Sequence, residues 1–265
     1  MQAVVGDQAI QSLADDIRRS KRILVCVGAG ISVNAGIPDF RSGNGIYTAN
    51  RSSSEDVFRI ENFLSDPIPF YKLCSEMESV FNGDHMPTVT HHFIKALGGM
   101  GKLLRCYSQN VDGLEIDAGL VPGNDLIQCH GRLDSIHCSK CRATADISPR
   151  KWLRYVKEYL DSKPECVPSD LCCTECGGFL KPAAVLFGEH LPETFFSGIK
   201  DDVASADLLI VIGSTMTVYP FAAITELLGA GVKKYVICKG AHLASGEIVI
   251  DEDCDKVAKK MRQLL

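Results

Sequence analysis

Apolar residues recur at helical spacing over residues 8–19, where Ile10, Leu13, Ala14 and Ile17 share one face. The pattern then changes at residues 22–27 to a continuous apolar run of strand length that ends in glycine. Further short apolar runs at 103–107, 126–129, 183–187, 208–212, 235–238 and 248–250 predict more buried strands. Helical periodicity returns between several of them, at 88–97, 193–204 and 219–228. That alternation predicts an α/β fold built on a mostly parallel, Rossmann-like sheet.

Two stretches break the rhythm. Residues 42–87 read as helix-rich with no strand of their own, and residues 132–181 carry cysteine pairs around a helix at 152–160. Both read as insertions that together form a smaller lobe. The expected division is a sheet domain from 1–41, 88–131 and 182–265, a helical insertion at 42–87 and a zinc-binding module at 132–181. Ligands of open α/β sheets sit at the carboxyl ends of the strands, so the site belongs in the cleft between the lobes.

The cysteines sharpen this picture. Cys138-Ser-Lys-Cys141 and Cys173-Thr-Glu-Cys176 each bring two thiolates into a tight turn, and two such turns complete the four-sulfur tetrahedron zinc prefers. A fully protein-ligated ion has no open position for water, so its role is structural. Cys172 and His137 flank the pairs, but only the four named residues give the regular spacing twice. Cys26, Cys106, Cys129 and Cys238 lie in apolar runs and read as small core hydrophobes. Unpaired thiols and a thiolate zinc site suit a reducing compartment, cytoplasm or nucleus. No signal peptide and no apolar run of transmembrane length is evident in the chain. A net charge of −5 without a long basic cluster argues against nucleic acid as a partner, since phosphate neutralisation dominates that affinity.

The first strand runs into Gly28-Ala29-Gly30-Ile31-Ser32, a turn whose bare backbone can approach a pyrophosphate. Val33 replaces the third glycine of a dinucleotide fingerprint, and no acidic residue ends a clear second strand some 20 residues later, so a hydride-transferring dehydrogenase fits poorly. Gly36-Ile37-Pro38-Asp39-Phe40-Arg41 adds a rigid turn, an aromatic face and a guanidinium. Gln109-Asn110-Val111-Asp112 and His130-Gly131 each follow another predicted strand.

In this order, with Phe187-Gly188-Glu189, Gly213-Ser214-Thr215 and Val218-Tyr219-Pro220-Phe221, these motifs resemble the sirtuin family of NAD-dependent protein lysine deacylases. Gly36 to Ser42, Pro87-Thr88 with His91, and Gly188-Glu189-His190-Leu191-Pro192 resemble its eukaryotic class I branch. The resemblance implies that Ala35, Ile37, Phe40, Asn110 and Asp112 surround nicotinamide, with Asp112 accepting from its carboxamide. It implies that Gln109 holds ribose hydroxyls, and that Arg41 with the Gly28, Ala29, Gly30 and Ser32 backbone fixes phosphates. His130 would act as general base, with Asn110 beside it, and the products would be nicotinamide, O-acyl-ADP-ribose and free lysine. An acyl-lysine protein or peptide, histones and tubulin-like proteins among the candidates, would add a strand between Val185-Phe187-Gly188-Glu189 and Val218-Tyr219-Pro220.

The adenine end departs from the family pattern. Gly213-Ser214-Thr215 stands for the usual Gly-Thr-Ser, and Cys238-Lys239-Gly240 stands where Asn and, two residues later, Glu usually hold the ribose. Cys254 keeps the position whose backbone meets adenine. Sirtuins that prefer succinyl groups resemble one another in a Tyr and an Arg three residues apart, and this chain aligns Cys74 and Met77 there, which implies a neutral acyl pocket. Ala184 and Leu186 leave room in that alignment for longer neutral chains. Protein mono-ADP-ribosyl transfer and a non-catalytic NAD or ADP-ribose-binding protein are the alternative readings.

Overall fold

A computed structural model describes residues 6–39, 55–162, 166–240 and 246–265. Helix α1 (Gly6–Arg19) buries Ile10, Leu13, Ala14 and Ile17, with Asp7 in its first turn and Arg18 and Arg19 in its last, the arrangement the helix dipole favours. Strand β1 (Ile23–Val27) is buried at all five positions, as a central parallel strand must be. Helices α2 (Ile60–Ser65), α3 (Ile68–Glu76) and α4 (Glu78–Asn82) follow, then α5 (Val89–Gly99) and β2 (Leu103–Ser108). The chain continues through α6 (Leu114–Asp117), β3 (Leu126–Gln128), β4 (Gly131–Cys138), α7 (Pro149–Ser162) and β5 (Leu180–Ala184). It ends with α8 (Glu193–Ser205), β6 (Leu208–Ile212), α9 (Ile224–Leu227), β7 (Lys233–Ile237), β8 (Ile248–Ile250) and α10 (Cys254–Leu264).

Six strands form one parallel sheet in the order β3-β2-β1-β6-β7-β8. This is the doubly wound order whose switch point lies between β1 and its neighbour on the other half. Register brings all six carboxyl ends level. Gln128 pairs with Ser108, Ser108 with Val27, Val27 with Ile212, Ile212 with Ile237, and Ile237 with Ile250. Whatever follows each strand therefore emerges in one row. Helices α1, α5 and α10 cover one face of the sheet through Leu13, Phe93 and Val257, while α8 and the turn at Phe221 cover the other.

The two insertions share a third core. Phe63, Phe70 and Tyr71 of the helical segment pack with Trp152, Val156 and Leu180 of the cysteine-bearing segment, and Tyr71 meets the Trp152 ring edge-on at 5.6 Å. Trp152 is fully buried, so its removal to Ala would cost about 3–5 kcal/mol.

Three sequence expectations shift. The strand expected at 183–187 lies at Leu180–Ala184 and pairs antiparallel with β4 in a separate two-stranded sheet. Beyond Ala184 the chain leaves that ladder, with the Val185 amide donating to the His130 carbonyl at 2.8 Å and the Phe187 amide to the Phe58 carbonyl at 2.7 Å. Strand β4 was not anticipated, because Arg132, Asp134 and Ser135 interrupt any apolar run. The helix expected at 219–228 is a 3₁₀ turn at Phe221–Ala223 followed by the single turn of α9, bounded by Pro220 and Gly229.

Candidate active site

The turn after β1 does not enter a long helix. It makes two 3₁₀ turns, Ala29–Ile31 and Val33–Ala35. Its glycines serve contact between loops: a Cβ on Gly30 would stand 2.6 Å from Gly213 Cα, and one on Gly213, whose φ is +65°, would stand 2.5 Å from the Ile31 amide. The Gly30 amide donates to the Gly213 carbonyl at 2.9 Å, and the Gly28 amide to that of Ile212 at 3.2 Å. Ile31 and Ser32 donate back to Gly28 and Ala29, so of the amides from Gly28 to Ser32 only that of Ala29 lacks such a bond among the described residues.

The loop after β2 is tied to this turn by polar side chains. Gln109 takes the Ser214 hydroxyl on its side-chain oxygen at 2.6 Å, which links the β2 end to the β6 end. Asn110 is buried and donates through Nδ2 to the Gly28 carbonyl at 3.3 Å, while its amide donates to Ser108 Oγ at 3.0 Å. Asp112 accepts from the Ser32 hydroxyl at 2.7 Å and from the Leu114 amide at 3.0 Å. Burial pushes the Asp112 carboxyl up, against the pull of these two donors. Ala35 is held from the small lobe, since its carbonyl accepts from His85 Nδ1 at 2.8 Å. Ile37 is buried.

His130 follows β3 in the same row. Its Nδ1 lies 3.2 Å from the Gln109 carbonyl, and a carbonyl only accepts, so Nδ1 carries the proton and Nε2 of the neutral ring is left with a lone pair. Burial pushes its pKa down, which keeps the ring neutral near physiological pH. The ring leans on Phe221 at 6.1 Å, a neighbour the sequence had not marked for this role.

On the peptide side, Phe187 is already paired: the Ile60 amide donates to its carbonyl at 2.9 Å, opposite its own bond to Phe58. The turn beyond is fixed by Lys181, which is buried and bonds both the Ala184 carbonyl at 2.7 Å and the Glu189 carboxylate at 2.9 Å. Glu189 also takes the Leu186 amide at 2.7 Å. Gly188 and Tyr219 are exposed, Val218 half-buried, and Tyr219-Pro220 is a cis peptide.

At the other end of the row, Cys238 is half-buried and Lys239 and Gly240 are exposed; Lys239 reaches Asp253 at 3.4 Å. Cys254 opens α10, buried beneath the Ile237 carbonyl. Thr215 is exposed. Asp39 lies near enough to Cys238 to raise its thiol, after burial and alongside Asp251. Phe40 and Arg41, named from the sequence, lie outside the described residues.

The four paired cysteines converge in the small lobe, their sulfurs all within 4.8 Å of one another. Cys138 and Cys176 stand 3.4 Å apart and Cys141 and Cys173 3.7 Å apart. A tetrahedron with zinc's ~2.3 Å metal–sulfur bonds has edges of about 3.8 Å, so the set fits that ion. The amides of Lys140 and Cys141 point at Cys138 Sγ at 3.3 and 3.5 Å, donors suited to a thiolate. His137 and Cys172 stand outside the set. Cys26, Cys106 and Cys129 are buried in the sheet core as expected.

The chain belongs to the Sir2 family, whose model matches residues 28–220. It is 40% identical to the NAD-dependent protein deacetylase SIR2rp1 of Leishmania major across 82% of this chain and 57% of that protein. It is 41% identical to NAD-dependent protein deacetylase sirtuin-2 of Danio rerio across 83% of this chain and 58% of that protein. The chain thus spans less than three fifths of either relative. A solved Sir2 structure, a histidine-to-alanine variant with deacetylated p53 peptide and 3′-O-acetyl ADP ribose, superposes with a TM-score of 0.81 at 26% identity, covering 96% of this chain and 97% of that one.

Proposed function

We propose that this chain removes acetyl and other neutral acyl groups from protein lysines at the expense of NAD. The observation that carries the reading is the level row of strand ends, which brings Asn110 and Asp112 against the Gly28–Ser32 turn and sets a neutral His130 on the Gln109 carbonyl in a Sir2-family chain. The donor set suits a dinucleotide: the Asp112 carboxylate, the Gln109 and Asn110 amides and the His130 imidazole on one half of the row, hydroxyls of Ser214 and Thr215 on the other. When bound, NAD supplies a ribose activated by the departure of nicotinamide.

The protein's own residues do the rest. Asp112 accepts from the carboxamide of nicotinamide, with Ala35 and Ile37 beside it. Gln109 and Asn110 orient ribose hydroxyls, and the Ala29 amide with Ser214 and Thr215 faces the phosphates. His130 Nε2 takes a proton from a ribose hydroxyl and returns it to the departing lysine amine, a role worth roughly 10²- to 10⁴-fold in rate. A substrate strand lies between Gly188 and Val218-Tyr219, since the Phe187 backbone is engaged by residues 58–60. Main-chain pairing gives loose sequence preference, so substrates are chosen by access, with histones and tubulin-like proteins the first to try. The four cysteines hold zinc as a brace of the small lobe, made of 42–87 and 132–181, while 1–41, 88–131 and 182–265 make the dinucleotide-binding domain. Thiolate zinc ligation suits a reducing compartment, and cytoplasm or nucleus is the reading that goes with it.

Nicotinamide release from NAD, measured with and without an acetyl-lysine peptide, tests the reading. Release that depends on the peptide and yields O-acetyl-ADP-ribose is expected. Peptide-independent release with label transferred to protein would replace it by ADP-ribosyl transfer, and no release would leave a binding protein.

A further inference from the structure

Asp112 is one corner of a buried cluster completed by His91 of α5 and Glu115 of α6. One ring nitrogen of His91 and one carboxyl oxygen from each acid lie within 4.8 Å of one another. His91 and Glu115 are both 0% exposed, and each leaves a polar atom, Nε2 and Oε2, without a hydrogen-bond partner among the described residues. Two orphaned atoms in a dry interior call for an account of where the protons sit.

Hydrogen-bond direction supplies it. The Thr88 amide points at His91 Nδ1 at 3.1 Å, and an amide only donates, so Nδ1 accepts and the ring proton is on Nε2; the Thr88 hydroxyl, 2.8 Å from the same nitrogen and 3.0 Å from the Ile31 carbonyl, can donate to either. His91 therefore joins the cluster as a neutral ring whose Nε2–H has no hydrogen-bond partner among the described residues. Asp112 has a donor on each oxygen, the Ser32 hydroxyl and the Leu114 amide, which stabilises it as an anion. On Glu115 the Ser108 hydroxyl donates to Oε1 at 2.5 Å and its own amide and Asn110 also favour its charge, but Oε2 has no hydrogen-bond partner among the described residues. Two adjacent buried acids do not both ionise readily, and the proton falls to the one that burial raises most and that has a carboxyl oxygen no donor reaches.

We propose that Glu115 is a positioning residue of the nicotinamide subsite: it remains a neutral carboxylic acid and so leaves Asp112 as the one carboxylate of the cluster. The inference rests on the reading of Asp112 as the nicotinamide contact. Its surroundings support the assignment. His85 faces Asp112 and favours its charge, Asp117 opposes it, Asp255 and His92 act on His91 with opposite signs, and the thiols of Cys106 and Cys129 near Glu115 are themselves pushed up by burial. Burial first, and then the Asp112 charge, push Glu115 up to about 8, while burial pushes His91 down to about 4.

A raised acid has a definite sign in stability. Between its ordinary value and about 8 the folded chain holds a proton the unfolded chain has lost, so stability falls as pH rises across that window. Glu115→Gln keeps the shape and removes the titration. It is expected to flatten this one-proton fall in thermal stability, to abolish a protonated-carboxyl C=O band in the infrared difference spectrum taken near neutral pH, and to keep kcat/KM for NAD within about threefold, below the tenfold worth of a buried hydrogen bond. Glu115→Leu, similar in volume without the polar atoms, is expected to raise KM for NAD about tenfold or more. A wild-type spectrum with no such band, or a Gln variant impaired as deeply as the Leu variant, overturns the proposal. If the wild type releases no nicotinamide, the reading of the site fails, yet the infrared and stability results still decide the protonation of Glu115.

Discussion

The two halves of the row of strand ends are built differently. On the β3-β2-β1 half, Asn110, Asp112, Ser32, Ser108 and Gln109 are laced by hydrogen bonds of 2.6–3.3 Å, and the small lobe grips the same half through His85 on Ala35 and through residues 58–60 on Phe187. On the β6-β7-β8 half the links among the described residues are fewer: Ser214 joins Gln109, Asn34 reaches Asp253 at 3.2 Å, the Gly240 amide donates to Asp251 at 2.9 Å, and Lys239 pairs with Asp253 in a partly exposed ion pair of a kind worth at most about 1 kcal/mol. On the proposed reading the difference has a reason: residues that act where bonds break must be held in advance of binding, whereas a nucleoside that is merely gripped needs less.

The largest effect that would sharpen this contrast is His130→Ala. It should reduce turnover by roughly 10²- to 10⁴-fold while NAD affinity, measured by calorimetry, changes little. A variant that keeps more than about a tenth of wild-type turnover would remove His130 from proton transfer.

Cys173→Ser tests whether the small lobe serves one half more than the other. Breaking the four-sulfur set should release zinc, measured by a chromogenic chelator, and loosen the lobe that holds Ala35 and Phe187. Peptide-dependent nicotinamide release should disappear, whereas ADP-ribose binding, for which the proposal also uses Ser214 and Thr215, should persist. A soluble, zinc-loaded, fully active variant would show that the cluster braces nothing.

Acyl choice probes the small lobe from another side. Cys74 is buried in its core, and the buried cation near it, Lys181, is already bonded to Glu189 and to backbone carbonyls. A succinyl carboxylate brought there would lack a partner at a cost of several kcal/mol. On one peptide, kcat/KM for succinyl-lysine should be at least ~100-fold below that for acetyl-lysine, with myristoyl-lysine as the neutral long-chain comparison. Equal or better use of succinyl-lysine would mean that Lys181 can exchange Glu189 for substrate.

Strands with unbroken apolar runs were legible in the sequence, as 208–212 and 248–250 show, and so was the zinc set, because spacing alone encodes it. Gln109, Asn110, Asp112 and His130 were marked by following strand ends. The level register that unites them was not, since it depends on pairing between strands far apart in the chain. The glycines of the first turn were read as making room for phosphate; in the structure they also make room for Gly213, which no local pattern reveals. Strand β5 was placed three residues late because its ladder is set by β4, a strand too polar to see. Glu115 carried no signal at all: a lone acid on a short helix reads as solvent-exposed until the packing around it is known.

The smallest predicted effect asks whether the sparse half can be improved. Cys238 leaves β7 in the common row, with its amide held by the Ile250 carbonyl at 3.3 Å, and burial together with Asp39 and Asp251 keeps its thiol neutral. A neutral thiol is a weak partner for a ribose hydroxyl, whereas an amide in the same place offers both a donor and an acceptor. Cys238→Asn should therefore tighten NAD and ADP-ribose by roughly fivefold, the worth of one hydrogen bond of about 1 kcal/mol. Gly240→Glu should bring no such gain, because Gly240 has φ +67° and a side chain there costs about 1–2 kcal/mol in backbone strain. Calorimetric titration of both variants separates the cases. Equal affinity in wild type and Cys238→Asn would mean that the ribose does not reach the end of β7, and the two halves of the row would then differ in occupancy as well as in construction.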